Sequence, residues 1–471
     1  MVIDKLRREL YVLLYESQWH SSNLGYDLSE MNWSADTLSA ATKNPLLLGM
    51  GNVNKNSQSY GKIQRMEKEK KRKLNISRYT LGNLFIIAGI LIITTLEWHF
   101  YDMYQAFTRY GTLITFVALA GAFLCYVDIK DAIKDKLFWL MVVTDLVALI
   151  NLILLGSNKG SLLIVVDFML ILYLSDKIVF SIKESYFVLI YIAFFFFYWT
   201  IDVKGYFKGY NTNYGGLILI TGFACVMIIM QVANENMQGK YYRYIGEFGD
   251  IEGKKTWWKR NWWYPPLCIF LVILSFNIIS WYRSRTALMG LIALLVIILL
   301  PEKIVRNKVI YPLICFFSTF GAILLATLYI GFGRIFGAKG NITLFYKDIV
   351  SGRNEIWTEL FNAFLEKPLT GIGSSYTMKL DFMEGMLEAH SAMLDILVVH
   401  GIIVFIPLCA LLTYRIYKLK EKSCAGNVDK AVFAAVICVM VTGFFENYYI
   451  VQPFSLILLC LLVINPMNIR D

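Results

Sequence analysis

Charge is what this sequence is short of. Only 17% of its 471 residues are Asp, Glu, Lys or Arg, whereas about a quarter are in an ordinary soluble domain, and 57% are apolar with positive mean hydropathy. That shortage excludes a water-soluble globular protein and makes lipid the main solvent. Histidine is scarcer still, with His20, His99, His390 and His400 the only four. No Asp-x-Asp motif and no His/Cys/carboxylate set with metal spacing occurs, so neither a metal site nor a cofactor is expected. Eight cysteines are present, but seven fall inside apolar runs and Cys424 lies in a basic loop, which argues against a disulfide framework. The first seventy residues lack the apolar core of a signal peptide, so the first span is expected to act as the insertion signal.

Apolar runs long enough to cross roughly 30 Å of hydrocarbon centre on 81–96, 107–127, 137–155, 161–174, 186–200, 215–232, 264–281, 287–300, 309–331, 391–413, 431–445 and 453–465. In lipid the backbone must satisfy its own hydrogen bonds, so these are expected to be helices. The expected fold is therefore all-α: a polytopic bundle of about twelve transmembrane helices, spanning residues 79–471 and preceded by a basic cytoplasmic extension, residues 1–78.

The net charge of +10 is a topology signal, and no nucleic-acid partner is inferred from it. Alternate loops 128–136, 175–185, 233–263, 301–308 and 414–430 carry nineteen Lys and Arg residues, and the intervening short loops only five. The positive-inside rule then places both termini in the cytoplasm and leaves one large extracytoplasmic loop, 332–390. Loops of that length are usually functional. Within it, Ile356, Trp357, Leu360, Phe361 and Phe364 recur at helical spacing after Arg353, which predicts an amphipathic helix on the membrane surface or on the bundle, ended by Pro368 and the Gly371-Ile-Gly373 turn.

Four polar clusters share the outer side under this topology. Asn211 and Asn213 precede the sixth span, where they either bind sugar hydroxyls or cap the helix. Arg283 and Arg285 sit in a tight outer turn against the positive-inside rule, either snorkelling to headgroups or binding phosphate through their planar guanidinium groups. Arg353 opens the surface helix, where backbone N–H groups already favour anions. His390 stands at the mouth of the tenth span as a candidate base, while His400 lies about 15 Å deeper. Glu446, at the outer end of the eleventh span, either caps the helix or orients His390 or a sugar.

Taken in order, Asn211-x-Asn213, Ser284-Arg285-Thr-Ala, Arg353-x-x-x-Trp357, Pro368-Leu-x-Gly-x-Gly373 and Ala389-His390-Ser-x-x-Leu-x-x-Leu-x-x-x-Gly401 resemble the motifs of the O-antigen ligase and polymerase family over roughly residues 200–450. Two positions depart from that pattern, Thr212 and Ser391, where the family often has proline and asparagine. The resemblance implies a bundle like that of lipid-dependent glycosyltransferases. It also implies metal-independent, inverting transfer of glycan from undecaprenyl pyrophosphate to an acceptor hydroxyl, in the bacterial cytoplasmic (inner) membrane. In that reading Arg285 and Arg353 hold the pyrophosphate and His390 is the general base, with Arg283, Asn211, Asn213 and Glu446 as substrate-binding candidates. Implied partners are the lipid-linked glycan and membrane lipid, with a flippase and a chain-length regulator as further candidates. Polymerase and ligase share the constellation; a composition rich in Ile, Lys, Asn, Phe and Tyr points to an AT-rich genome and tips the expectation towards a polymerase.

Two other classes stay open. A flippase or other transporter is suggested by Asp145 and Asp167, mid-span at similar depth in adjacent helices, although neither inverted halves nor paired Gly/Pro-broken helices are visible. A structural scaffold is the third reading.

Overall fold

The computed structural model describes residues 78–96, 104–155, 157, 159–202, 212–248, 264–336, 343–344, 347–348, 353–380, 383–386, 389–420 and 427–464. The basic extension 1–78, apart from Arg78, lies outside them, as do Asn211 and Glu388. Each of the twelve apolar windows is helical: α1 (Arg78–Leu96), α2 (Tyr104–Tyr126), α4 (Lys136–Leu155), α5 (Lys159–Leu174), α6 (Ile182–Asp202), α7 (Thr212–Phe248), α8 (Tyr264–Tyr282), α9 (Arg285–Leu299), α11 (Ile310–Phe336), α13 (Ala392–Lys418), α14 (Asn427–Thr442) and α15 (Phe454–Val463). Short turns α3 (Ile129–Ala132) and α10 (Glu302–Val305) and the helix α12 (Arg353–Glu366) complete the set. Among the described residues six helices are long and apolar enough to cross a membrane by length and composition, and three further apolar helices are shorter. The chain is an all-α polytopic membrane protein.

Local chemistry sets several helix starts. Ser181 and Glu184 form a reciprocal capping box at the start of α6, each accepting from the other's backbone N–H at 2.7 and 3.3 Å. Ser284 Oγ accepts from Ala287 N–H at 3.3 Å and fixes the start of α9. The helices α5, α7, α13, α14 and α15 supply most of the buried core, whereas α8 is lined almost wholly by exposed or half-exposed apolar side chains, as a lipid-facing helix should be. Small residues permit the closest approaches: a Cβ on Gly290 of α9 would meet Thr442 Cγ2 of α14 at 2.7 Å.

The structure adds three features to the sequence reading. The helix α7 runs on to Phe248, well into the segment expected to be a loop. The large loop contains two antiparallel hairpins, β1 (Thr343–Leu344) with β2 (Lys347–Asp348), and β3 (Thr377–Leu380) with β4 (Met383–Met386). The third feature lies inside α13, which is interrupted at Gly401 with φ 77° and ψ 176°. This break exposes carbonyls above and amides below. Pro368–Gly373 satisfies both: Ile372 and Gly373 donate to Val398 and Val399 carbonyls at 2.9 and 3.1 Å, and Ile402 donates to Pro368 O at 2.9 Å. Asn151 Nδ2 of α4 donates to both Thr370 O and His400 O at 3.1 Å. Thus the Gly371-Ile-Gly373 turn does not merely end the surface helix. It docks nine residues along α13, roughly 13 Å from that helix's start, where irregular backbone survives because protein surrounds it.

At the opposite end of α13 from Ala392, Arg415 is buried, donating from Nε to Leu172 O at 2.7 Å and pairing with Asp176 at 3.3 Å. Arg306 pairs there with Glu302 at 3.0 Å and Asp429 at 3.1 Å. The seven described cysteines are unpaired.

Gly401→Ala and Gly371→Ala are expected to lower folded yield. Each places a Cβ against the facing backbone at positive φ, a conformation that costs about 1–3 kcal/mol for a side chain before any clash. Fluorescence-detected size exclusion of tagged protein in detergent checks this, and monodisperse variants at unchanged melting temperature would contradict it.

Candidate functional site

The amphipathic helix α12 lies on the bundle, burying Ile356, Trp357, Leu360, Ala363 and Phe364 against α11 and its neighbours. Its first residue, Arg353, is turned inward and only 8% exposed. The guanidinium Nη2 donates to Phe445 O and Glu446 Oε1, each at 3.0 Å, and the group sits 5.6 Å from the Phe445 ring centroid. Glu446 turns its other oxygen, Oε2, towards His390 Nδ1 at 3.6 Å. That separation is too long for a direct hydrogen bond but well within ion-pair range. One carboxylate therefore bridges the two residues that the sequence separates by 37 positions.

His390 has a left-handed backbone, φ 47°, which is uncommon outside glycine. Three contacts frame it. Trp357 Nε1 donates to Ala389 O at 2.8 Å; Ala392 N–H donates to Gly443 O at 2.9 Å; and Asp395 N–H returns to Ser391 O at 2.8 Å. The His390 side chain is 26% exposed, against 10% for Arg353 and 12% for Glu446, so the imidazole is the open face of the network. Arg353 Nε and Ser391 Oγ are buried without hydrogen-bond partners, leaving polar groups available beside it.

Arg285 begins α9, half-buried, and Arg283 precedes it, exposed and at φ 54°. Packing of Gly290 on Thr442 sets this helix start at the same end of the bundle as the Gly443–Tyr449 turn that carries Glu446. Gly216 of α7 packs on Ser284, which brings the segment after Asn213 to the same helix start. Asn213 lies in the first turn of α7; its side chain is outside the described atoms. The turn at Tyr376 ties back to α12 through its hydroxyl, which donates to Glu359 Oε1 at 2.8 Å. Burial first, and then that carboxylate, push the phenol up to about 12, so it remains a donor at neutral pH.

Two parts of this site escaped sequence reasoning. The i, i+4 spacing of Arg353 and Trp357 was visible, but not that the two side chains would grip different loops from one helix face. His400 proves to be the residue at the helix break, buried, with its carbonyl held by Asn151. Arg353 opens α12 where the sequence places it, and Phe445 and Glu446 draw its side chain inward.

Residues 270–409 match the family model described as O-Antigen ligase, an interval containing Arg285, Arg353, Trp357, His390 and Gly401 but not Asn211, Asn213 or Glu446. No curated protein and no solved structure matches the chain. The family match, on a bundle that gathers the matched Arg353 and His390 around one carboxylate, supports assigning this chain to the O-antigen ligase and polymerase family.

Proposed function

We propose that this protein is a polysaccharide polymerase of the bacterial inner membrane. It transfers glycan from undecaprenyl pyrophosphate to the hydroxyl of a lipid-linked repeat unit during capsule, exopolysaccharide or O-antigen synthesis. The observation carrying this reading is the Arg353–Glu446–His390 network, with a partly exposed imidazole backed by a buried ion pair. Its exposed imidazole suits a base that must meet a hydrated sugar, and its buried pair suits a fixed electrostatic frame.

In the proposed reaction His390 takes the proton of the acceptor hydroxyl as that oxygen attacks the anomeric carbon from the face opposite the pyrophosphate. The bond from the anomeric carbon to the pyrophosphate oxygen breaks, its electron pair leaves with the lipid pyrophosphate, and the configuration inverts. Arg285, at the start of α9, takes part of the anionic charge, with Arg283 as an outer contact. Arg353 contributes through its buried Nε donor, and Glu446 keeps both His390 and Arg353 in place. Asn211 and Asn213 are proposed to meet sugar hydroxyls. A flippase supplying substrate and a chain-length regulator remain proposed partners. A ligase acting on another acceptor would use the same groups.

A transporter reading is favoured by one observation: Asp167 of α5 is 1% exposed with neither carboxylate oxygen hydrogen-bonded. The helix break at Gly401 is single, not one of a symmetric pair, so it adds little to that reading.

Sidedness is tested by cysteine labelling of intact cells. A cysteine introduced near position 345 should react with an impermeant reagent and one near 250 should not; the reverse pattern inverts the topology and removes the site from the outer face.

For the chemistry, His390→Ala and Arg353→Ala should insert normally but abolish long polymer, since general-base assistance is worth about 10²- to 10⁴-fold. Arg353→Lys should also fail substantially, because an ammonium cannot reproduce a forked contact. His400→Ala should retain more polymer than either. Polymer ladders on gels, from cells lacking the native copy and at matched protein level, provide the measurement. Normal ladders from both the His390 and Arg353 variants would overturn the enzyme reading, and Asp167→Asn would then be the substitution to examine.

A further inference from the structure

The hydrogen bond from Trp357 to Ala389 has no role in the reaction written above, yet it holds the peptide immediately before the candidate base. Trp357 is fully buried, its ring packed against Tyr329 at 5.2 Å and Phe445 at 6.5 Å between centroids. An indole N–H buried in that aromatic cluster needs an acceptor, and Ala389 O at 2.8 Å supplies it. The acceptor belongs to the peptide that carries His390 into its left-handed backbone conformation, φ 47°. Turning that peptide back towards an ordinary conformation would withdraw the carbonyl from Trp357 and swing the imidazole away from Glu446 Oε2. Arg353 and Trp357 are four residues apart on one face of α12, so the helix that anchors Glu446 also fixes the histidine that Glu446 faces.

We propose that Trp357 is a positioning residue whose indole N–H, not its bulk, holds His390 in the backbone conformation required for its alignment with Glu446. This rests on the assignment of His390 as the base. The bond acts on the ground-state geometry of the base rather than on donor binding, so its loss should fall on kcat and leave KM for the lipid-linked donor nearly unchanged.

The test replaces Trp357 with 3-benzothienylalanine, which keeps the bicyclic shape and substitutes sulfur for the N–H, alongside Trp357→Phe and His390→Ala. Purified full-length proteins are assayed in detergent with a lipid-linked glycan. Expected for the benzothienyl protein is wild-type yield and melting behaviour, kcat reduced about 10- to 100-fold, and KM within about twofold, the scale associated with an ångström-size displacement of a reacting group. Wild-type kcat in the benzothienyl protein while His390→Ala is inactive overturns the positioning role and leaves the base assignment standing. Loss of folded benzothienyl protein, or a fall carried by KM alone, also overturns it, since a packing or binding role predicts those outcomes. Full activity in His390→Ala would instead remove the reading on which the inference rests.

Discussion

In hydrocarbon an unpaired amide or carbonyl costs several kcal/mol, so each departure from a continuous helix must be satisfied by nearby protein. Gly401 breaks α13 among buried residues, and the placement of Pro368–Gly373 follows from repairing that break. The carbonyls of Val398 and Val399 and the amide of Ile402 find partners in Pro368–Gly373. Docking that segment fixes where α12 ends and brings the chain back to His390 within a short span. The glycines at 371 and 401 are explained by the same closeness, because backbone meets backbone there with no room for a Cβ. A motif that reads as a turn in the sequence is therefore the seal on a broken membrane helix.

A second constraint is charge. Arg353 and Glu446 are both buried, and each neutralises the charge of the other. Arg353 Nη2 meets Glu446 Oε1, while Arg353 Nε has no hydrogen-bond partner and Glu446 Oε2 faces His390. The pair thus carries an unbonded Arg353 Nε and a carboxylate oxygen directed at a partly exposed imidazole. It is well suited to a site where an anion and a transferred proton arrive together.

Helix placement was legible because apolar length is a strong signal in this solvent, and the amphipathic period of residues 353–366 gave the surface helix and its buried face directly. Motif order singled out His390 and Arg353, and the structure brings both to the Glu446 carboxylate. What the sequence concealed was pairing across distance. Nothing local to Phe444-Phe-Glu446 tells capping from catalysis, since the choice depends on α14 ending beside α12 and α13, a matter of tertiary packing. The hairpin Thr377–Met386 was missed because its strands are too short to show alternation above loop composition. The inward turn of Arg353 was not legible, because helix-end reasoning considers the helix's own dipole and not the turn packed over it.

The loop segments around His390 are cross-braced: α12 holds residues 389 and 445–446, α13 accepts 368–373 along its break and donates to Gly443, and Tyr376 returns to α12. In such a lattice a substitution that destroys activity is ambiguous unless it leaves every brace intact. Removing the imidazole of His390 meets that condition, because none of the braces just named runs through that ring. Removing the guanidinium of Arg353 does not, because it also strips Glu446 of its neutralising partner and leaves a buried carboxylate free to reorient or take up a proton. Loss of activity in an Arg353 variant would thus report on anion binding and on Glu446 together, whereas loss in a His390 variant at full abundance isolates the chemistry of one ring.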